Sequence, residues 1–288
     1  MVKWREWRKS DNVEDRRGAA AAGGLGLVLL LLRFVFSRWG LGGVAVLVAG
    51  YFALTAVGIN PLSLLQGGPA RSAPTSAEDQ AAAEFVARTL GETEDVWTQK
   101  FQELGRRYEP PRLVMFTGQV NSACGMASAA SGPFYCPADR QVYLDTSFFN
   151  ELSQRFGAPG DFAATYVIAH EVGHHVQNLL GIADQVRQAQ SAATSEAEGN
   201  ALQVRMELQA DCYAGVWAHA TSRSLEPGDI EEGLRAAAAI GDDTLQRQAG
   251  RTVRPESFTH GSSQQRVEWF SRGYRSGAPA DCDTFGAR

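Results

Sequence analysis

Histidine is scarce in this sequence, with five residues among 288. Basic residues do not predominate either, because 27 Lys and Arg stand against 32 Asp and Glu and give a net charge of -5. No basic stripe with interleaved aromatic residues is present, so the sequence gives no electrostatic reason to expect a nucleic-acid partner. Cysteine is limited to four residues, none of them in a Cys-x-x-Cys pair, which argues against a zinc ribbon.

The four cysteines are widely spaced along the chain. An even number at such spacing fits two disulfides formed in an oxidising compartment. A bond between Cys124 and Cys136 is preferred, because it would close a short loop of small residues that packs poorly by its own side chains. Cys212 and Cys282 then form the second pair by elimination. The alternative is four unrelated buried thiols.

Long apolar runs are also rare. Residues 19–32 are apolar but too few to cross a bilayer, whereas Trp39–Ile59 is free of charge and spans about 30 Å as a helix, enough for the hydrocarbon layer. The excess of Lys and Arg lies before this run, which predicts a cytoplasmic N-terminus and one crossing to an extracytoplasmic domain. A cleaved signal peptide is the rival interpretation. A two-span hairpin that also uses residues 19–32 would leave the domain in the cytosol.

The sequence therefore predicts four segments. They are a cytoplasmic basic segment with a short apolar stretch (1–38), a transmembrane anchor (39–59), a flexible linker rich in Gly, Pro, Ser and Ala (60–75) and a folded domain (76–288). In the domain, helical periodicity predicts a helix from a Ser76 cap to about Leu90 and a second helix that carries Trp97 to Tyr108. Strand-like residues at 112–120 and 141–144 precede further helices. These helices are expected at 147–156, 163–180, 195–222 and 229–240 and after 262.

The sequence His170-Glu171-Val172-Gly173-His174 lies within the apolar helical pattern at 163–180. Residues four apart point the same way on a helix, so the two histidines can bind one Zn²⁺. Glu171 lies about 100° round the helix, where it can act as general base on a water activated by the zinc without binding the metal. Chance alone would produce this motif in about one per cent of chains so poor in histidine. His175 lies off the cleft face, and we interpret it as structural.

A catalytic zinc usually has three protein ligands and one open position. The Ala-rich helix at 195–222 contains Glu207 and Asp211 one turn apart, among apolar residues that indicate burial. We predict that Glu207 is the third ligand and that Asp211 accepts a hydrogen bond from a ligating histidine, with Asp211 as the alternative ligand. His260 is a candidate donor to the oxyanion of a tetrahedral intermediate. Ser262 or Ser263 is then expected to cap the helix that follows.

These motifs resemble the gluzincin class of zinc metallopeptidases, and more closely the bacterial neutral zinc metallopeptidase family, whose members are membrane-anchored. Besides the HExxH and ExxxD motifs, the resemblance includes Asp11–Arg17, Gly132–Pro137, Glu207–Cys212 and Phe258–Gly261. Thr259-His260 with Arg266 is also similar to a Thr-His-Pro…Arg signature of membrane-associated gluzincins, although Gly261 replaces the proline. Gln177 and Leu180 exclude a metzincin, which would have Gly and His there.

The resemblance implies a predominantly helical, gluzincin-like α+β fold with a small antiparallel sheet, preceded by one transmembrane helix. It also implies that an edge strand above the cleft pairs with an extended peptide, and residues 120–123 are the candidate strand. The expected function is hydrolysis of peptides or proteins by a zinc metallopeptidase outside the cytoplasmic membrane. The alternative is a non-hydrolytic, membrane-tethered zinc-binding scaffold or assembly factor, but structural zinc usually has four ligands and the sequence offers three.

Overall fold

The computed structural model describes residues 1–17 and 76–286. The predicted anchor at 39–59 and the predicted linker at 60–75 lie outside these residues. Among the residues that are described, no helix combines the length and the apolar character needed to cross a membrane.

The described residues form eight α-helices and six β-strands. The helices are α1 (Ala77–Glu103), α2 (Ser147–Gln154), α3 (Asp161–Leu180), α4 (Ile182–Ala192), α5 (Glu196–Ala220), α6 (Asp229–Ala239), α7 (Asp242–Gln248) and α8 (Ser263–Ser276). The strands are β1 (Val13–Asp15), β2 (Arg112–Phe116), β3 (Gln119–Ser122), β4 (Gly125–Ser128), β5 (Phe134–Cys136) and β6 (Gln141–Asp145). The predicted α+β class, mostly helical, is confirmed.

The main sheet has four strands in the order β1-β2-β6-β5. Strands β1, β2 and β6 run parallel, and only β5 is antiparallel to its neighbour β6. Strands β3 and β4 form a separate antiparallel pair. The prediction of a small antiparallel sheet is therefore wrong for the main sheet. The reason is that the segment between β2 and β6 is long enough to cross over, as parallel neighbours require.

The first fifteen residues belong to the same compact unit as Ser76 onward. Strand β1 pairs in parallel with β2, with Val13 opposite Leu113. Trp4 and Trp7 are only 7% and 4% exposed and pack on core aromatic rings. Residues 1–15 therefore form part of the folded unit, whereas the sequence analysis placed them in a separate segment at 1–38.

Helix α1 replaces the two helices expected between residues 76 and 108. Ser76 caps it as predicted, in a capping box with Asp79, and no proline interrupts it. A Cβ atom at Gly91, in its middle, would lie 2.1 Å from the carbonyl oxygen of Arg8. The glycine is thus the point at which the N-terminal segment crosses the helix, rather than a helix end.

Helices α3 and α5 pack closely where the histidine motif lies. A Cβ atom at Gly173 would lie 3.0 Å from the carbonyl oxygen of Ala210. The missing side chain therefore lets α3 approach the turn of α5 that carries Glu207 and Asp211.

Both predicted disulfides are confirmed. Cys124, in the turn between β3 and β4, is bonded to Cys136 of β5. Cys212 of α5 is bonded to Cys282 near the C-terminus. The first bond ties the β3–β4 pair to the main sheet, and the second ties the C-terminal segment to the helix that carries Glu207.

Candidate metal centre

Three side chains from α3 and α5 converge at the predicted site. Nε2 of His170 lies 3.2 Å and Nε2 of His174 lies 3.4 Å from Oε2 of Glu207. Ligands held about 2.0–2.1 Å from a tetrahedral Zn²⁺ lie about 3.3 Å from one another. Two imidazole nitrogens and a carboxylate oxygen are ligands that zinc favours. Their chemistry and spacing therefore fit a zinc ion at this point.

Asp211 lies behind His170 rather than among the converging atoms. Its Oδ1 lies 2.9 Å from Nδ1 of His170, so the aspartate holds that ring with Nε2 towards Glu207. Burial alone would lower the pKa of His170, but the Asp211 carboxylate outweighs it and raises the pKa to about 9. Nδ1 of this ring thus donates to Asp211, which leaves Nε2 as the nitrogen that faces the other converging atoms.

Glu171 is buried and lines the cavity that also exposes the three converging side chains. This cavity has a volume of about 590 Å³ and runs between β5, α3, α5 and the loop before α8. Its size suits a segment of a larger molecule better than a lone small ion.

His260 lines the same cavity. Its loop is held by Asp242, whose Oδ2 accepts hydrogen bonds from the backbone N–H groups of Thr259, His260 and Gly261. Asp242 also raises the pKa of the His260 imidazole. Gly261 has a φ of +88°, which proline cannot adopt because its ring locks φ near about -65°. The backbone at Gly261 therefore adopts a turn that the proline of the Thr-His-Pro…Arg signature could not form.

Comparison with known families matches residues 2–285 to the family described as "Putative neutral zinc metallopeptidase". The chain belongs to this family. It is similar to uncharacterized protein YpfJ of Escherichia coli strain K12, at 49% identity over 99% of both chains. It is also 50% identical, over 62% of its length and 64% of theirs, to uncharacterized proteins Rv2575 of Mycobacterium tuberculosis and Mb2605 of Mycobacterium bovis. No solved structure matches it. The predicted membership of the neutral zinc metallopeptidase family is confirmed.

In this family member, the strand that borders the cavity is not the predicted one. Residues 120–123 lie in and just after β3, which pairs only with β4. Strand β5 is an edge strand of the main sheet, and Phe134 and Tyr135 line the cavity. Strand β5, rather than the predicted residues 120–123, therefore borders the cavity. The segment between β2 and β6 is rich in small residues, and the sequence pattern did not indicate the strand at Phe134–Cys136.

His175 is buried next to the metallopeptidase motif but away from the converging atoms. Its Nε2 donates to the backbone oxygen of Glu109 at 2.6 Å, and its Nδ1 accepts from the Tyr135 hydroxyl at 3.0 Å. Burial lowers the pKa of this imidazole to about 4, so the ring is neutral. The structure thus agrees with a structural role for His175, which connects α3 to the edge strand.

The sequence motifs do not include Tyr166 or Asp242, and Gln177 enters them only as a residue that excludes a metzincin. Tyr166 donates to Asp211, and Oε1 of Gln177 lies 2.9 Å from Nδ1 of His174. Helical spacing could have found both, because they stand four residues before His170 and three after His174. Nothing in the sequence around Asp242 indicates its role, since its partners are backbone groups.

Arg266 forms a buried ion pair with Asp211. Its Nε and Nη2 donate to the two oxygens of Asp211 at 2.9 Å each, and Nη2 also donates to Tyr166. Both members of the pair are almost fully buried. The guanidinium outweighs the effect of burial and keeps the pKa of the Asp211 carboxyl below its usual value. The pair therefore holds a charged aspartate behind His170.

We expect Arg266→Met to destabilise the fold strongly, because it leaves the Asp211 charge buried without its partner. The expected loss in the free energy of unfolding is about 3–5 kcal/mol, measured by urea denaturation. Arg272→Met, at a more exposed position on the same helix, is the matched control. An Arg266→Met protein as stable as this control would contradict the assigned ion pair.

Proposed function

We propose that this protein is a zinc metallopeptidase in which His170, His174 and Glu207 hold the metal. The observation that carries the proposal is the convergence of two imidazole nitrogens on one carboxylate oxygen within a cavity that Glu171 also lines. Family membership supports the same conclusion.

Zn²⁺ bound by these residues would polarise the scissile carbonyl and lower the pKa of a water molecule. Glu171 takes a proton from the attacking water and later delivers it to the leaving amine. His260 donates a hydrogen bond to the oxyanion as the carbonyl becomes tetrahedral. The raised pKa of His260 beside Asp242 supports this role, since a protonated imidazole is the stronger donor.

An extended peptide substrate would add to the free edge of β5. The support is that β5 is an edge strand and that its residues border the cavity. Peptides commonly bind in this way, through main-chain hydrogen bonds to an exposed strand. The Cys124–Cys136 bond holds this strand to the β3–β4 pair and so restrains its position.

The alternative function, a non-hydrolytic zinc-binding scaffold, has less support. A structural zinc site is usually closed by four ligands, most often Cys and His. In the described part of the chain, the cluster contains three candidate ligands, and all four cysteines are in disulfides. The donor set therefore favours an open, catalytic site.

Chelation tests the proposal directly. The full-length protein, incubated with a proteome-derived peptide library, should generate cleavage products detected by mass spectrometry. Dialysis against a chelator should abolish cleavage and leave the circular dichroism spectrum intact, and added Zn²⁺ should restore cleavage. Cleavage that survives chelation would contradict the metal mechanism. Loss of the folded spectrum would favour the structural role.

We extend the proposal to the membrane. The apolar runs at 19–32 and 39–59 would hold the protein in the membrane as a hairpin that enters and leaves on the extracytoplasmic face, so that the N-terminal residues and the metal site lie on that side. The pairing of β1 with β2 supports the common side, and the two disulfides support an oxidising compartment. Arg8 donates to Glu94 and Asp95 within the fold, so its charge does not by itself require a cytoplasmic N-terminus.

Epitope tags at both termini test this topology. In spheroplasts that express the full-length protein, added protease should digest both tags. Digestion of one tag with protection of the other would contradict the common side. Protection of both would put the domain in the cytosol and contradict the proposed compartment.

A further inference from the structure

A buried glutamine holds the second histidine of the metal cluster from behind. Oε1 of Gln177 lies 2.9 Å from Nδ1 of His174. The amide nitrogen of Gln177 donates to the backbone oxygen of Met206 at 2.7 Å, on the residue that precedes Glu207 in α5. One side chain thus links a histidine of the cluster to the helix that carries the third proposed ligand.

The orientation of this amide is set by groups that can only accept. Nε2 of Gln177 also donates to Oε1 of Gln209 at 3.1 Å, and Nε2 of Gln209 donates to the backbone oxygen of Cys282 at 2.9 Å. Backbone oxygens accept and never donate, so each amide must turn its nitrogen towards them. Gln177 is left with its oxygen facing His174. The proton of that ring must therefore sit on Nδ1, and the lone pair of Nε2 faces Glu207.

The far end of this chain of hydrogen bonds is fixed covalently. Cys282 is bonded to Cys212, which stands one helical turn after Gln209 in α5. Both cysteines and Gln177 are fully buried, and Gln209 is nearly so. The accepting oxygen of Cys282 is thus tied to the same helix as the glutamine that donates to it.

We propose that Gln177 is the positioning residue of His174, and that Gln209, held by the backbone of Cys282, keeps Gln177 in the orientation that directs Nε2 of His174 to the metal. This inference rests on the proposed function, because it takes the cluster to be a zinc site. The two histidines are then held by different partners, His170 by the charged Asp211 and His174 by a neutral amide. Partners of this kind orient the ligands and raise metal affinity.

The first test is the Zn²⁺ affinity of the full-length protein, measured by competition with a chromophoric chelator. Gln177→Met preserves the length of the side chain and removes the acceptor, and we expect affinity to fall about 10–100-fold. Gln209→Met should cause a smaller fall, because the Met206 backbone still orients Gln177. Gln188→Met, at an exposed position on α4, is the matched control and should bind zinc as the wild type does.

The second test separates positioning from general stability. In the zinc-loaded wild type, the Nδ1 proton of His174 should give a downfield, slowly exchanging NMR signal, and this signal should be lost in Gln177→Met. Unchanged zinc affinity in Gln177→Met, or persistence of the His174 Nδ1 signal in that variant, would overturn the positioning role of Gln177 and leave the proposed function standing. A wild-type protein without zinc affinity would overturn the proposed function, and the positioning role with it.

Discussion

Glu171→Gln should leave one zinc per chain and lower the rate of peptide hydrolysis by about 10²–10⁴-fold. The substitution keeps the shape of the side chain and removes the proton acceptor. Glu171 lines the cavity, whereas the converging ligand atoms belong to His170, His174 and Glu207. Loss of the base should therefore affect turnover and not metal content. Zinc is measured by elemental analysis, and turnover by mass spectrometry of a peptide library.

Glu268→Gln is the matched control for this substitution. Glu268 is exposed on α8, and the same change of charge there should alter neither zinc content nor turnover. Turnover retained in Glu171→Gln would contradict the mechanism, since no other group has been assigned to accept the proton. Loss of zinc in Glu171→Gln would show instead that the glutamate contributes to metal binding.

The core of the site could be predicted because its residues follow helical spacing. His170, His174, Glu207 and Asp211 were assigned from the four-residue periodicity that brings side chains to one face of a helix. The meeting of the two helices was inferred from the ligand number of zinc, and the structure brings Glu207 to the histidines. Arg266 was noticed only as part of a family signature, and its contact with Asp211 depends on the packing of α8.

Long-range strand pairing could not be predicted in the same way. The segment containing Val13–Asp15 is short and polar, and its sequence is typical of the basic flank of a membrane anchor. Its place beside β2 depends on contacts with residues about a hundred positions further along the chain. For the same reason, periodicity identified residues 112–120 as strand-like but did not reveal that β5 would border the cavity.

The relation between the two disulfides and the site also emerged only in the structure. The spacing of the cysteines predicted both pairs, but not that one tethers the edge strand and the other ends the chain of hydrogen bonds behind His174. The Cys124–Cys136 bond thus restrains the strand that borders the proposed substrate cleft. The Cys212–Cys282 bond restrains the backbone oxygen that accepts from Gln209. Oxidising conditions would consequently favour a pre-organised site as well as a stable fold.

Glu207→Ala should remove zinc from the protein, because it takes away the only carboxylate among the converging atoms. The fall in Zn²⁺ affinity should exceed the roughly 10–100-fold typical of losing a partner outside the ligands. Glu196→Ala, an exposed change in the same helix, should retain the metal. Elemental analysis and chelator competition provide the measurement.

The result shows whether Glu207, and not Asp211, is the carboxylate ligand of the zinc. It also separates the role of Glu207 as ligand from the role of Glu171 as general base. Zinc bound by Glu207→Ala with wild-type affinity would mean that Asp211 or another acid completes the site, although Asp211 is already engaged by Arg266 and His170. Loss of zinc and turnover together in Glu207→Ala, beside loss of turnover alone in Glu171→Gln, would separate the ligand from the base. Because the two variants remove one carboxylate each from the same cavity, a general loss of charge could not explain such a difference.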